Sequence, residues 1–94
     1  MSDFSCMDQM EQALFDRHSL PALTFLIENG RELEFEADGH TCFLSKYETA
    51  QAVSLWVDEE EQPFPSMAAL LEQAKIGTAD FAAVWDTARF ITLF

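Results

Sequence analysis

The stretch that decides the fold is RELEFEADGH, residues 31–40. Three apolar residues alternate there with three glutamates, and this period of two is typical of a strand with one buried and one exposed face. The apolar set is Leu33, Phe35 and Ala37, and the acidic set is Glu32, Glu34 and Glu36. The dipeptide Asp38-Gly39 that follows predicts a two-residue hairpin turn.

Further strands are predicted on both sides of this segment. Upstream, the large apolar residues of 23–27 share one face of a predicted strand, and Asn29-Gly30 is a second hairpin signal. Downstream, residues 40–47 alternate less regularly, and residues 52–57 are rich in strand formers. The pattern predicts an antiparallel meander of about four strands.

Helices are predicted at both ends of the chain. Residues 3–18 have a helical apolar stripe that stops before Pro21, because the residue preceding a proline disfavours the α conformation. Near the carboxyl end, Ser66 is the predicted cap of one helix and Thr78 that of a second, shorter one. Residues 90–94 are predicted to form a terminal strand or an apolar tail. This order predicts a single α+β domain, residues 1–94, with helices packed on one face of the sheet.

The net charge is −12, from 17 acidic and five basic residues. It is concentrated in residues 28–61, where ten acidic and two basic residues give a net charge of −8. Such a field repels nucleic acid and anionic lipid, and it accelerates encounter with a basic protein. We therefore expect no direct binding of nucleic acid, since affinity for phosphates depends on Lys and Arg.

The sequence predicts a cytoplasmic protein. It has no run of about 18 apolar residues that would cross a membrane, and its first residues lack the basic and apolar regions of a signal peptide. Cys6 and Cys42 could pair in an oxidising compartment. Without an export signal, we expect both to be reduced thiols.

The three glutamates of the first segment are the leading candidate for a functional surface. Residues two apart on a strand project from the same side at a spacing of about 7 Å. Glu32, Glu34 and Glu36 would then form a row of like charges that a basic partner would neutralise. The alternative, a solvated face that serves only solubility, stays open.

The block of acids at 58–61 is the second candidate surface, and it follows closely after Trp56. An exposed tryptophan beside carboxylates is a favourable anchor for Arg or Lys, although Trp56 could equally belong to the core. Trp85, at helical spacing from Phe81, is predicted to be a core residue. The predicted partner-binding set is Glu28, Glu32, Glu34, Glu36, Asp38, Trp56, Asp58, Glu59, Glu60 and Glu61.

No motif in the sequence predicts a catalytic or metal site. The histidines and cysteines do not have a zinc-site spacing, and the acidic block does not match a calcium-binding loop. Nucleophile and phosphate-binding motifs are also missing from the sequence. We therefore expect a non-enzymatic protein with no metal and no cofactor.

A pattern spread over about 40 residues of the second half carries a family resemblance. Its parts are Ser54-Leu55-Trp56, the acids of 58–61, Phe64 and Ser66 before Leu70-Leu71, Ala74-Lys75-Ile76-Gly77, and Trp85-Asp86. This pattern resembles small acidic bacterial immunity proteins, which are encoded beside contact-dependent or polymorphic toxins. The resemblance implies neutralisation of a toxin domain, often a basic nuclease, and it assigns no site residues.

Three functions stay open at this point. The first is an immunity protein that binds a cationic toxin. The second is a phage-type inhibitor or DNA mimic, such as an anti-CRISPR protein, because carboxylates about 7 Å apart approximate the spacing of phosphates along one strand. The third is a small adaptor whose acidity serves solubility. The oligomeric state does not follow from the sequence.

Overall fold

The computed structural model describes the backbone of residues 3–48 and 51–94, and the side chains of residues 7–48 and 51–94. The state of Cys6 therefore lies outside the described residues. Two helices come first, followed by a run of strands and then short helices and strands. The elements are α1 Asp3–Arg17, α2 Leu20–Glu28, β1 Leu33–Ala37, β2 His40–Lys46, β3 Val53–Val57, β4 Glu60–Phe64, α3 Met67–Gln73, β5 Lys75–Ile76, β6 Ala79–Asp80, α4 Phe81–Val84 and β7 Arg89–Leu93, with a 3₁₀ turn at Trp85–Thr87 between the last two.

Five of the strands form one antiparallel sheet in the order β4-β3-β2-β1-β7, and β5 pairs with β6 in a separate small hairpin. The predicted α+β class is confirmed. Strands β1 to β4 are a meander of adjacent hairpins, whereas β7 returns from the end of the chain to the free side of β1.

One face of the sheet is covered by helices. Leu33, Phe35 and Ala37 of β1 are buried, as the alternating pattern predicts. Cys42 and Leu44 of β2 are buried on the same face. Helices α2 and α3 contact β2 and β3, and α1 packs against α2. Within the described ranges, no helix is long and apolar enough to span a membrane.

The predicted strand at residues 23–27 is wrong, because this segment lies inside helix α2. The Ser19 side chain caps that helix by accepting a hydrogen bond from the Ala22 amide at 3.2 Å. Pro21 lies in the first turn, where its missing N–H breaks no helical hydrogen bond. Ser-Leu-Pro therefore starts a helix as well as ending the previous one.

The predicted hairpin at Asn29-Gly30 is wrong for the same reason. Gly30 has a φ of 88° and follows the end of α2, where its amide donates to the carbonyl of Ile27. A left-handed glycine is a common helix terminator. The dipeptide therefore ends a helix here.

The fourth strand of the meander is β4, which follows β3 in the chain instead of preceding β1. Asp58 and Glu59, with φ values of 48° and 75°, form a two-residue turn that places Val57 opposite Glu60. Paired positive φ values match the twist of a hairpin, but Gly is the usual second residue. The sequence does not predict this turn, because glutamate occupies the second position, where glycine is usual.

The predicted cap at Thr78 is also wrong. Residues 77–78 form the turn of the β5–β6 hairpin, and α4 begins only at Phe81. Glycine suits position 77, because its φ is 65° and a Cβ there would lie 2.6 Å from Nε2 of His40, whose ring would have to move. The cap at Ser66 is confirmed, since its side chain accepts from the Ala69 amide, and the terminal strand is confirmed as β7.

Trp85 joins the carboxyl-terminal part of the chain to the rest of the core. It is 1% exposed, its ring lies 5.5 Å from Phe35 and 5.2 Å from Phe81, and its indole N–H donates to the carbonyl of His18 at 2.7 Å. The prediction that Trp85 is a core residue is confirmed.

We expect Glu59→Gly to stabilise the protein by about 1 kcal/mol, because glycine relieves the cost of a positive φ. Urea unfolding followed by circular dichroism measures the change. Glu60→Gly is the control, since this neighbour lies in β4 and glycine in a strand should destabilise by about 0.5–1 kcal/mol. Equal destabilisation by both variants would contradict the turn geometry.

We expect Trp85→Phe to lower the free energy of unfolding by about 2 kcal/mol, because it leaves a cavity and an unpaired carbonyl at His18. Trp56→Phe on the opposite face of the sheet should stay within about 0.5 kcal/mol of the parent. Chemical denaturation of the two variants compares them directly. A smaller loss for Trp85→Phe than for Trp56→Phe would overturn this description of the core.

Candidate protein-binding surface

The second face of the sheet is left uncovered by the helices of the described residues, and it carries a row of acidic and aromatic residues. Glu34 of β1 lies opposite Phe43 of β2, Phe43 opposite Trp56 of β3, and Trp56 opposite Glu61 of β4. Neighbouring strands are about 4.8 Å apart, so the row is about 14 Å long. We call these four residues the outer row. Two aromatic residues lie at its centre, with a carboxylate at each end.

The aromatic centre of the outer row is accessible to solvent. Trp56 is 36% exposed, which answers the question of whether it belongs to the core. Phe94, 56% exposed, packs edge-on against Phe43 with ring centroids 6.0 Å apart. An exposed aromatic surface on a chain this strongly charged is a candidate for contact with another protein.

Carboxylates surround this aromatic centre at the end of the sheet that holds the two tight turns. Glu34, Asp58 and Glu59 line an open depression of about 640 Å³ together with Phe43 and Trp56. The turn of the β3–β4 hairpin supplies two of the three acids. Part of the predicted acidic block and the middle of the predicted glutamate row therefore meet at one place.

Hydrogen bonds hold Asp58 in place. Nδ1 of His40 donates to its Oδ2 at 2.5 Å, and the Thr41 amide donates to Oδ1 at 3.0 Å. The bond from His40 and then that from Thr41 lower the pKa of this carboxyl below its ordinary value. Asp58 is therefore a fixed negative charge at neutral pH.

Glu61, at the far end of the outer row, is fixed by two hydroxyl groups. Ser54 donates to its Oε2, and Tyr47 donates to the same oxygen at 2.5 Å. The bond from Ser54 and then that from Tyr47 lower the pKa of Glu61. This carboxylate is charged at neutral pH, but one of its oxygens is already occupied.

The three glutamates of the first segment do not act as one row. Glu36 pairs with Arg89 of β7 at 2.5 Å. Glu34 lines the depression, whereas Glu32 lies before β1 and lines a second depression with Glu28 and neighbouring residues. Their side chains do share the face away from the core, but their environments differ. A basic partner would therefore meet Glu34 without a competing intramolecular cation.

The remaining predicted site residues are spread over the molecule. Glu28, at the end of α2, is beside Lys46 and Tyr47 at the opposite end of β1 from the tight turns. Asp38 is exposed in the β1–β2 turn, and Glu60 is exposed at the start of β4. The structure brings Glu34, Trp56, Asp58 and Glu59 together and separates them from Glu28.

Sequence reasoning missed the aromatic residues that accompany Trp56. The position of Phe43 beside Trp56 depends on the strand register, which the sequence does not specify. Phe94 reaches the same face only because β7 pairs with β1. The alternation in β2 is the one available signal, since it puts Phe43 on the other face of the strand from Cys42 and Leu44, which are buried.

The depression is bordered by one cysteine, whose side chain is buried in the core. Burial of Cys42, and then the charge of Asp58, raise the pKa of its thiol to about 11. A thiol of this kind is protonated at neutral pH and is a poor nucleophile. Across residues 7–48 and 51–94, no group of three or more His, Cys, Asp or Glu side chains is arranged to hold a metal ion.

We expect Asp58→Asn to lower stability in a pH-dependent manner. Because the folded state lowers the pKa of Asp58, the stabilisation is present above the unfolded pKa of about 3.9 and is lost as pH falls through the folded value. The difference in unfolding free energy between parent and variant should therefore shrink towards acid pH. Denaturant unfolding between about pH 2 and 7 measures it.

Asp38→Asn is the matched control, because Asp38 occupies the equivalent position of the other tight turn with a φ of 50°. Among the described residues, none donates a hydrogen bond to the Asp38 carboxylate. A constant difference between Asp58→Asn and the parent across this pH range would contradict the role of the His40 and Thr41 hydrogen bonds.

Comparisons of this chain with protein-family models, with curated proteins and with solved structures find no match.

Proposed function

We propose that this chain is a non-enzymatic inhibitor that binds a basic protein, and that its binding surface is the face of the sheet that carries the outer row. The observation that carries the proposal is the pair of exposed Trp56 and half-buried Phe43, which has carboxylates on both sides and is not covered by the described helices. The aromatic residues supply contact area, and the carboxylates supply charge complementarity.

The placement of charge supports a protein partner of opposite sign. Ten of the 17 acids lie in residues 28–61, which form most of this face and its edges. Such a surface accelerates association with a cationic protein and disfavours acidic competitors. Interface centres are enriched in aromatic residues, whereas their rims are polar. The outer row has this arrangement.

Neutralisation of a toxin, as the resemblance to immunity proteins implies, is the specific role we propose. An antidote must bind its target quickly and tightly without chemistry of its own, and electrostatic steering with a central aromatic anchor supports that requirement. The target would be a cationic toxin domain of the nuclease type.

The DNA-mimic alternative receives less support. A mimic of one strand needs evenly spaced, unpaired carboxylates, but Glu36 is bound to Arg89 and Glu32 lies apart from Glu34. The central part of the face is aromatic, where phosphate mimicry would need further charges. If the chain inhibits a nucleic-acid-binding protein, this face would therefore contact side chains of that protein and would not imitate the phosphates of a DNA strand.

Co-expression with the protein encoded beside its gene is the direct test. We expect growth rescue and a stable complex, whose association constant falls at least about tenfold between 0.05 and 0.5 M salt, because exposed charges are screened within about 10 Å at 0.1 M. Titration calorimetry measures the affinity. Absence of rescue together with absence of a complex would falsify the antidote role.

A pair of matched charge variants locates the surface. Glu34→Gln with Glu59→Gln should slow association about fivefold. Glu72→Gln with Asp86→Asn removes the same charge from exposed positions of α3 and the 3₁₀ turn and should have a smaller effect. Stopped-flow kinetics compares them. If the second pair slows association as much as the first, binding is driven by net charge or uses the helical side.

A further inference from the structure

We infer that the depression between Phe43 and Trp56 is a binding site for one arginine side chain of the partner. This inference rests on the proposed function and adds the chemistry of recognition to it. It comes from three properties of the depression: its aromatic floor, its carboxylate rim and the fixed charge beneath that rim.

The floor suits a flat cation. Phe43 and Trp56 are directly opposite each other on β2 and β3, and facing residues of neighbouring strands have Cβ atoms about 4.5–5.5 Å apart. Guanidinium groups stack on such aromatic surfaces and gain a cation–π attraction, which is strongest with tryptophan. Phe94, which packs against Phe43, supports the floor from one side.

The rim of the depression supplies carboxylates that can accept hydrogen bonds from a guanidinium. Asp58 already uses both carboxylate oxygens, on His40 and on Thr41, and contributes mainly its charge. Glu34 and Glu59 line the same depression. Within the part of the chain that the structure describes, the three ion pairs of Arg or Lys and the contact between His40 and Asp58 use other carboxylates. These two glutamates are therefore available to accept hydrogen bonds from a bound guanidinium.

Arginine fits this site better than lysine. Its planar fork donates five N–H groups in fixed directions while its face stacks on an aromatic ring, whereas an ammonium is a compact and strongly hydrated point charge. A floor of two rings with acceptors on the rim uses both properties of the guanidinium. The bound side chain would neutralise the charge that Glu34, Asp58 and Glu59 concentrate there.

The test is a nuclear magnetic resonance titration of the ¹⁵N-labelled full chain with two blocked tripeptides, acetyl-Gly-Arg-Gly-amide and acetyl-Gly-Lys-Gly-amide. We expect the arginine peptide to shift the Trp56 indole signal and the amides of Phe43 and Glu34, and to bind about threefold more tightly than the lysine peptide. Equal affinities, or shifts confined to the depression beside Glu28, would overturn the inference.

Variants add a second readout with the same peptides. Trp56→Leu and Glu34→Gln should each weaken the arginine peptide about threefold, whereas Trp56→Phe, which keeps an aromatic face, should recover part of the loss. Glu72→Gln is the charge-matched control on α3 and should leave the affinity nearly unchanged. A loss as large for Glu72→Gln as for Glu34→Gln contradicts a defined site.

The two proposals can fail separately. If the arginine peptide binds as expected but no cationic protein is neutralised, the antidote role fails and the arginine site stands. If a toxin complex forms and Trp56→Leu leaves its affinity unchanged, the arginine site fails and the antidote role stands.

Discussion

The burial of Trp85 is the interaction on which the rest of the structure depends. Its ring contacts Phe35 of the central strand β1, and its indole N–H donates to His18 at the junction of the first two helices. One side chain therefore connects the end of the chain to the sheet and to the helical layer. Strand β7 begins four residues after Trp85, and its pairing with β1 brings Arg89 to Glu36 and Phe94 to Phe43.

The sheet separates two functions between its faces. The inner face packs against the helices and forms part of the hydrophobic core. The outer face does not belong to that core. Tight turns at one end of the sheet then bring Asp58 and Glu59 beside the aromatic pair Phe43 and Trp56. Hydrogen bonds to Asp58 and Glu61 lower the pKa of both carboxyls, so the fold itself stabilises the negative charge of these two residues.

Local sequence rules succeeded where one signal dominates and failed where two compete. The alternation around Phe35 identified β1 correctly because no helical pattern fits it. The apolar pattern of residues 23–27 fits both a strand and a helix. The Ser19 cap and Pro21 in the first turn favour the helix. The Asp58-Glu59 turn was missed because its second residue is not glycine.

The sequence by itself determined the α+β class, the strands β1 to β3, the first helix and the concentration of acid in the middle of the chain. The tertiary structure alone decided which acids meet. Pairing register placed Glu34 beside Phe43 and Trp56, whereas β7 neutralised Glu36 with an arginine 53 residues away in the chain. The physical reason is that a strand pattern fixes which face a residue occupies, but only long-range pairing fixes its neighbours.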